Sequence, residues 1–271
     1  LAVVGLVLVY LGIDVLLPFG VDGMTTALQM EILSGFGLGG SSVALFGRVG
    51  GGRYAKGADV GAEMVGKVEA GAFLGEIALV SHNVGDNVGD IAGMGADLFG
   101  SVAESTCAAL VIGAAAYTVA PYTDQALSVL LFPILANGVG IVASLISLFF
   151  IRVKSEDGVE GALKNALVIS TVLMLLGMYP VAHWAFGDVS FMLGSATIDA
   201  NTAFIAVAAG LVAGLLIGLI TEYYTSHAYK PVREVADSSR TGAATNIIYG
   251  LALGYNSAVI PMLLIAASVV V

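Results

Sequence analysis

The sequence has few of the residues that stabilise a small water-soluble domain. Its 271 residues include a single cysteine, Cys107, so neither a disulfide within the chain nor a cysteine-based metal site can form. Charged residues make up 11% of the chain, whereas an average soluble domain has about 25%. No Gly-X-Y period runs through the 36 glycines, which excludes a collagen-like triple helix. A soluble domain is excluded by the same low charge.

Long hydrophobic runs are what the sequence has in quantity. Hydrophobic residues make up 58% of the chain, above the roughly 45–50% of soluble domains. Seven runs are long enough to cross about 30 Å of hydrocarbon, near 1–19, 28–50, 91–120, 127–151, 165–187, 203–222 and 243–271. We therefore predict an all-α, polytopic transmembrane helix bundle. The first run starts without a charged flank and the last has no polar exit, so we expect one transmembrane domain over 1–271, truncated at both ends.

Basic residues occur only at alternate ends of these runs. All ten Lys and Arg residues lie at or after the end of the second, fourth or sixth run, and the other connections carry acidic residues only. Such a split is what the positive-inside bias predicts for seven alternating spans. We expect 51–90, 152–164 and 223–242 to face the cytoplasm.

Two phosphate-binding motifs occur by coincidence. Gly35, Gly37 and Gly40 form a G-x-G-x-x-G pattern, but it lies inside an apolar run and not between a strand and a helix, so helix packing is the better interpretation. Residues 61–67 match the start of a Walker A motif, yet Val68 stands where a magnesium-binding Ser or Thr is needed. Neither motif predicts nucleotide binding, and we expect no nucleic-acid partner.

Four carboxylates recur along the segment that begins at His82. Asp86, Asp90, Asp97 and Glu104 are spaced by four, seven and seven residues, which places them within roughly 40° of one another on an α-helix. The rise from the first to the last is roughly 27 Å, close to the thickness of the bilayer core. Ionisable groups inside a span are costly unless they are paired or hydrated. Asp97 and Glu104, the two carboxylates furthest along the span, therefore predict an ion path.

The preceding segment carries charges of both signs. If its helix continues beyond residue 50, Arg48, Lys56, Asp59 and Glu63 fall within about 80° of one another. Carboxylates on facing helices offer oxygen ligands to Mg²⁺, and Lys56 and Lys67 can bind phosphate oxygens. This chemistry suits a complex of a metal ion with a polyanion. The alternative for Asp59, Glu63 and Lys67 is a solvated loop with intrahelical ion pairs.

Three segments resemble the membrane-bound pyrophosphatases, which couple pyrophosphate hydrolysis to proton or sodium pumping. They are FGRVGGGRYAKGADVGAEMVGKVEAG, NVGDNVGDIAGMGADLFGSVAEST and TEYYTSHAYKPVREVADSSRTGAATNIIYGLALGY. The resemblance implies a homodimer of sixteen-helix subunits in a lipid bilayer, with a cytoplasmic catalytic segment at about 48–90. It also implies a vacuolar or other acidic-compartment membrane and pyrophosphate bound as its magnesium complex.

The same resemblance implies roles for individual residues. Asp86 and Asp90 would be catalytic, and Lys56 and Lys67 would bind substrate. The magnesium ligands would be Asp59, Glu63, Asp86 and Asp90, and the ion-transport residues would be Arg48, Asp90, Asp97 and Glu104. An acid at Glu104 with glycine at Gly100 resembles the K⁺-stimulated, proton-pumping type, so K⁺ is expected as an activator.

The sequence departs from the family pattern at three places. His82 and Glu63 each replace an aspartate, and the stretch GAFLGEIALVS replaces a longer acidic, proline-containing loop. A second set of acidic and lysine ligands belongs to the family's C-terminal half, so we expect this chain alone to be inactive. Two alternatives follow: a secondary ion transporter or channel whose acidic column binds ions without hydrolysis, and a degenerate, inactive pyrophosphatase.

Overall fold

A computed structural model describes residues 1–16, 26–64, 76–117, 126–152, 158–187, 190–193 and 196–270. In chain order the elements are α1 (Ala2–Leu16), α2 (Thr26–Met64), α3 (Glu76–Val88), a π-helical segment (Gly89–Met94), α4 (Gly95–Tyr117), α5 (Ala126–Leu130), α6 (Phe132–Leu148), α7 (Val159–Phe186), β1 (Phe191–Leu193), β2 (Ala196–Ile198), α8 (Ala200–Thr225), α9 (Lys230–Ser238), a 3₁₀ turn (Ser239–Thr241) and α10 (Ala243–Val270). The chain forms two compact units, Leu1–Ile134 and Leu135–Val271. Each unit is described by itself below.

The apolar helices confirm the predicted membrane architecture. Among the described residues, five helical segments are long and apolar enough to cross a membrane: Thr26–Ala62, His82–Ala114, Gly161–Phe186, Ala200–Thr241 and Ala243–Val270. The shorter apolar helices Ala2–Ile13 and Phe132–Leu148 coincide with the first and fourth predicted runs. The fold is an all-α transmembrane bundle, because in hydrocarbon a chain segment must satisfy its backbone hydrogen bonds internally. The count of seven spans stays a prediction.

Helix α2 is longer than the hydrophobic run that predicts it. Its 39 residues continue without a break from Thr26 to Met64, a length of roughly 58 Å that exceeds the hydrocarbon core. The continuation beyond residue 50, on which the charged face of Arg48, Lys56 and Asp59 depends, is thus confirmed. Residues 51–64 and 76–90 are helical, so the connection expected over 51–90 is in large part helix and not loop.

In the first unit, α2 packs closely against α3, the π-helical segment and α4 through small residues. A Cβ added at Gly51 would lie 2.8 Å from the Gly93 nitrogen and 3.1 Å from the Gly89 oxygen. One added at Gly89 would lie 2.8 Å from the Ala55 Cβ. Glycine at these positions lets the two backbones meet directly, as small residues do between membrane helices. This close contact fixes which charged side chains of the two helices face each other.

The apolar core of the first unit lies where α2 packs against α4. Leu6, Leu33, Leu110 and Leu130 are almost wholly buried there together with Cys107. The Cys107 thiol donates a hydrogen bond to the Leu33 oxygen at 3.4 Å. Cys107 is therefore a core residue, as the apolar sequence around it predicts.

A π-helical segment, Gly89–Met94, separates α3 from α4. Its i→i+5 hydrogen bonds take more residues per turn than an α-helix does. The constant step of about 100° per residue, which placed Asp86, Asp90, Asp97 and Glu104 on one face, therefore does not hold across residues 89–94. The prediction that all four carboxylates lie on one face of a continuous α-helix is therefore wrong.

The second unit is built on α7, α8 and α10, with α8 contacting both of the others. A two-stranded antiparallel hairpin, β1 with β2, precedes α8, and the hydrophobic runs did not predict it. Asp199 caps α8: its Oδ1 accepts hydrogen bonds from the Thr202 N–H at 2.8 Å and from the Thr202 hydroxyl at 2.7 Å. The Thr202 backbone and side-chain hydrogen bonds lower the pKa of Asp199 from its ordinary value.

Candidate metal centre and membrane ion pair

Helix α2 presents two charged residues to its neighbours at different levels of the first unit. Arg48 and Asp59 are eleven residues apart, which on an α-helix places them within roughly 20° of one another and separates them by about 16 Å. The chain from α3 to α4 packs along this helix. Each of the two residues therefore meets a different part of the facing chain.

At the level of Asp59, three side chains converge between α2 and α3. His82 Nδ1 lies 2.8 Å from Asp59 Oδ1, and His82 Nε2 lies 3.5 Å from Asp86 Oδ2. One potential ligand atom from each residue lies within 4.8 Å of the others, which is compact enough for all three to hold one metal ion. The three side chains are about one-third to one-half exposed. We call Asp59, His82 and Asp86 the rim cluster.

One oxygen of the rim cluster is buried without a hydrogen bond. Asp59 Oδ1 has less than 1 Å² of exposed surface and accepts no hydrogen bond from the residues that the structure describes. Its 2.8 Å approach to His82 Nδ1 is short enough for a hydrogen bond but lacks the direction of one. A buried carboxylate oxygen left in this way is costly, and a bound cation would satisfy it.

At the level of Arg48, an ion pair joins α2 to α4. Arg48 Nη1 donates a hydrogen bond to Asp97 Oδ1 at 2.7 Å. Both residues lie within helical segments that are apolar enough to span a membrane. A charged side chain inside a membrane is costly unless it is paired, and here Arg48 and Asp97 pair with each other.

Glu104 lies on α4 seven residues beyond Asp97. Helix α2 passes close to it, because a Cβ at Gly37 would lie 3.5 Å from the Glu104 Cα. The Glu104 side chain is exposed, and within the described part of the chain its carboxylate has no hydrogen bond or ion pair. The structure therefore brings Arg48 and Asp97 together but not Arg48 and Glu104.

The other predicted site residues are distributed as follows. Lys56 is exposed on α2. Lys67 lies outside the described residues, as do 71–75 at the start of the stretch that replaces the acidic loop, whereas 76–81 belong to α3. Glu63 belongs to α2 and Asp90 to the π-helical segment, but their side chains also lie outside what is described.

An open hollow of about 630 Å³ lies between α2 and α3. Its lining residues are Arg53, Tyr54, Gly57, Ala58, Val84, Gly85 and Val88. The lining is mostly apolar and contains one basic side chain, which does not suit a polyanion. We therefore do not assign this hollow to the substrate.

His82 is the site residue whose contribution the sequence argument missed. The sequence marks it only as a departure from the aspartate of the family pattern, yet its ring lies between two carboxylates. A signal was present, because His82 and Asp86 are four residues apart and face the same side of a helix. The sequence contains no such signal for the contact between His82 and Asp59, because the two residues lie on different helices.

In the second unit, Lys164 connects three helices. Its Nζ lies 2.7 Å from Glu222 Oε1 on α8 and 3.4 Å from the Tyr229 hydroxyl, immediately before α9. The basic residue that the charge pattern placed near the start of the fifth span is therefore an internal partner of an acidic one. The contact holds α7 against the end of α8 and the start of α9.

Comparisons with known proteins assign the chain to a family. The family model described as inorganic H⁺ pyrophosphatase matches residues 1–271. A K⁺-stimulated pyrophosphate-energized sodium pump of Clostridium tetani is 42% identical over 246 residues, covering 90% of this chain and 34% of that protein. A K⁺-insensitive pyrophosphate-energized proton pump of Moorella thermoacetica is 38% identical over 254 residues, covering 93% of the chain and 35% of its own length.

A plant relative gives the same result. The pyrophosphate-energized membrane proton pump 3 of Arabidopsis thaliana is 32% identical over 281 residues, covering 100% of the chain and 34% of its own length. The chain thus spans about a third of the length of the curated relatives it matches. With the family match over its whole length and its apolar helices, the chain belongs to the membrane-bound inorganic H⁺ pyrophosphatases.

Proposed function

We propose that the full-length protein hydrolyses pyrophosphate and uses the energy to pump protons across a membrane. The observation that carries this proposal is that a single helix, α2, contributes a residue to each of two sites. Its outer part contributes Asp59 to the rim cluster, and its apolar part contributes Arg48 to an ion pair with Asp97. A hydrolytic centre above an ion path is the arrangement that coupling requires.

The proposed substrate is pyrophosphate bound as its magnesium complex. Asp59, Glu63, Asp86 and Asp90 would supply carboxylate oxygens to Mg²⁺, which prefers oxygen ligands. Asp86 and Asp90 would also orient the water that attacks phosphorus. Asp59 Oδ1, which is buried and accepts no hydrogen bond from the described residues, supports a cation at this place. The substrate oxygens would be bound by Lys56 and Lys67.

The proposed ion path runs through Arg48, Asp90, Asp97 and Glu104. A carboxylate inside the membrane must either hold a proton or pair with a cation. Asp97 is paired with Arg48, whereas Glu104 has no described partner. Glu104 is therefore the group we propose to carry the transported proton.

The assembly and location of the protein are part of the proposal. We propose a homodimer in a vacuolar or other acidic-compartment membrane, with the segment at about 48–90 on the cytoplasmic side of a single transmembrane domain. The distribution of basic residues supports this orientation. K⁺ is proposed as an activator, although relatives of similar identity are described as K⁺-stimulated and as K⁺-insensitive.

The test is to measure phosphate release and vesicle acidification in the same preparation of the full-length protein. We expect Mg²⁺-dependent release of phosphate from pyrophosphate, together with acidification that persists without Na⁺ and increases with K⁺. Ion movement without phosphate release would instead indicate the secondary transporter or channel. Absence of both would indicate the degenerate, inactive protein that His82 and the shortened loop suggest.

A further inference from the structure

We propose that the rim cluster, Asp59, His82 and Asp86, binds a first-row transition-metal dication in preference to Mg²⁺. The proposal rests on the proposed function, because Asp59 and Asp86 are also two of the proposed Mg²⁺ ligands, and it concerns which ion these two residues hold together with His82. It starts from the donor set, which contains two carboxylates and one imidazole.

The donor set fits Mg²⁺ poorly. Mg²⁺ is a hard cation that takes oxygen ligands and retains several waters. Imidazole nitrogen is the ligand that Co²⁺, Ni²⁺ and Zn²⁺ bind well, and affinity for a given site increases along the first-row series from Mn²⁺ to Cu²⁺. Replacing one carboxylate by His82 therefore lowers the affinity for Mg²⁺ and raises it for the later ions.

The distances in the rim cluster agree with a shared ion. Neighbouring ligand atoms on a tetrahedral or octahedral ion lie roughly 3.0–3.4 Å apart. His82 Nδ1 and Asp59 Oδ1 are separated by 2.8 Å without the direction of a hydrogen bond, and His82 Nε2 and Asp86 Oδ2 by 3.5 Å. One ligand atom from each of the three residues lies within 4.8 Å of the other two.

The imidazole ring is also supported in the way that metal-binding histidines are. A ligating histidine usually donates its second ring N–H to a carboxylate, which fixes the ring orientation. His82 has one carboxylate near each ring nitrogen, Asp59 near Nδ1 and Asp86 near Nε2. When one nitrogen binds the ion, the carboxylate near the other nitrogen therefore has two possible roles: it binds the ion, or it accepts the second ring N–H and orients the ring.

The proposal is tested by metal binding to the purified full-length protein in the absence of pyrophosphate. Co²⁺ is titrated against an excess of Mg²⁺, and binding is followed by calorimetry and by the visible absorption of bound Co²⁺. We expect His82→Asp to lower the affinity for Co²⁺ relative to Mg²⁺ by about tenfold or more. The Co²⁺ absorption should change as well, because an oxygen ligand replaces nitrogen.

Two further variants keep the test decisive. His82→Gln should weaken Co²⁺ binding without placing a third carboxylate in the cluster, in case His82→Asp fails to fold. His227→Gln is the matched control, since His227 is an exposed histidine of the second unit, and it should leave Co²⁺ binding unchanged. An unaltered ratio of Co²⁺ to Mg²⁺ affinity in both His82 variants would overturn the proposal.

Phosphate release from the same preparations separates this inference from the proposed function. Co²⁺ binding that depends on His82, without any hydrolysis, would support the metal site and contradict the pyrophosphatase. Hydrolysis with a ratio of metal affinities that does not depend on His82 would support the pyrophosphatase and contradict the metal site.

Discussion

Arg48 and Asp97 form a 2.7 Å ion pair that joins α2 to α4. The two residues are 49 positions apart in the sequence, and both lie within apolar helical segments. The pair neutralises two charges that would each be costly in a membrane. Because Arg48 and Asp59 both belong to α2, this one helix contributes a residue to the ion pair and a residue to the rim cluster.

The first prediction concerns this pair. Arg48→Gln and Asp97→Asn should each strongly reduce proton transport, because each leaves the other charge without its partner. The double variant should lose less thermal stability than the two single losses added together. Acidification of vesicles and thermal denaturation in detergent provide the measurements.

Arg53→Gln is the control for the pair. Arg53 is an exposed basic residue on the same helix that lines the hollow between α2 and α3, so this variant should transport normally. Strictly additive losses of stability for Arg48 and Asp97 would contradict the pairing.

The second prediction separates hydrolysis from transport. Glu104 lies nine residues beyond the start of α4 at Gly95, a rise of about 14 Å, and the π-helical segment separates it further from Asp86. It therefore cannot reach a substrate bound at the rim cluster. Glu104→Gln resembles the protonated acid but cannot release its proton. We expect it to abolish acidification while leaving measurable phosphate release.

Asp86→Asn should instead reduce both activities by at least about tenfold, because it removes a proposed metal ligand. Glu31→Gln, which changes an exposed carboxylate on α2, should alter neither. Full proton transport by Glu104→Gln would remove Glu104 from the path.

The third prediction concerns the contact between α2 and the facing helices. Gly51→Ala should destabilise the protein by about 1–3 kcal/mol, because its Cβ would lie 2.8 Å from a backbone nitrogen. Gly52→Ala, its neighbour, has no atom within 4 Å of the added Cβ and should be neutral or slightly stabilising. Thermal denaturation of the two variants side by side gives the comparison, and equal stability would mean that this contact does not hold the helices.

The fourth prediction concerns orientation in the membrane. Cysteines that replace Arg152 and Lys230 should react with a membrane-impermeant reagent from the cytoplasmic side only, and one that replaces Ser190 from the other side only. All three positions are exposed, whereas the native Cys107 is 3% exposed and contributes little background. Labelling of Arg152→Cys and Ser190→Cys from the same side would contradict the alternating topology.

Much of this protein could be predicted from its sequence. The apolar runs predicted the helices because a segment in hydrocarbon has no alternative to internal hydrogen bonding. The spacing of Arg48 and Asp59 predicted that both lie on one face of α2, since helical periodicity is local and regular. The position of Cys107 in the core also followed from its apolar neighbours.

Other features could not be predicted in this way. The π-helical segment Gly89–Met94 has the same hydrophobic pattern as an α-helix, so composition does not distinguish the two. The hairpin before α8 is too short to produce a strand period of its own. The contact of the His82 ring with Asp59 could not be predicted either, because nothing local in the sequence indicates it.

The sequence by itself determined the class of the molecule, the shared face of the charges on α2 and the family it resembles. Only the tertiary structure decided the partners: Arg48 with Asp97 rather than Glu104, and His82 with Asp59 as well as Asp86. The physical reason is that partners across two helices depend on their relative register and crossing. In this chain that register is set by direct backbone contact at Gly51 and Gly89, a property of both helices together that neither sequence segment contains alone.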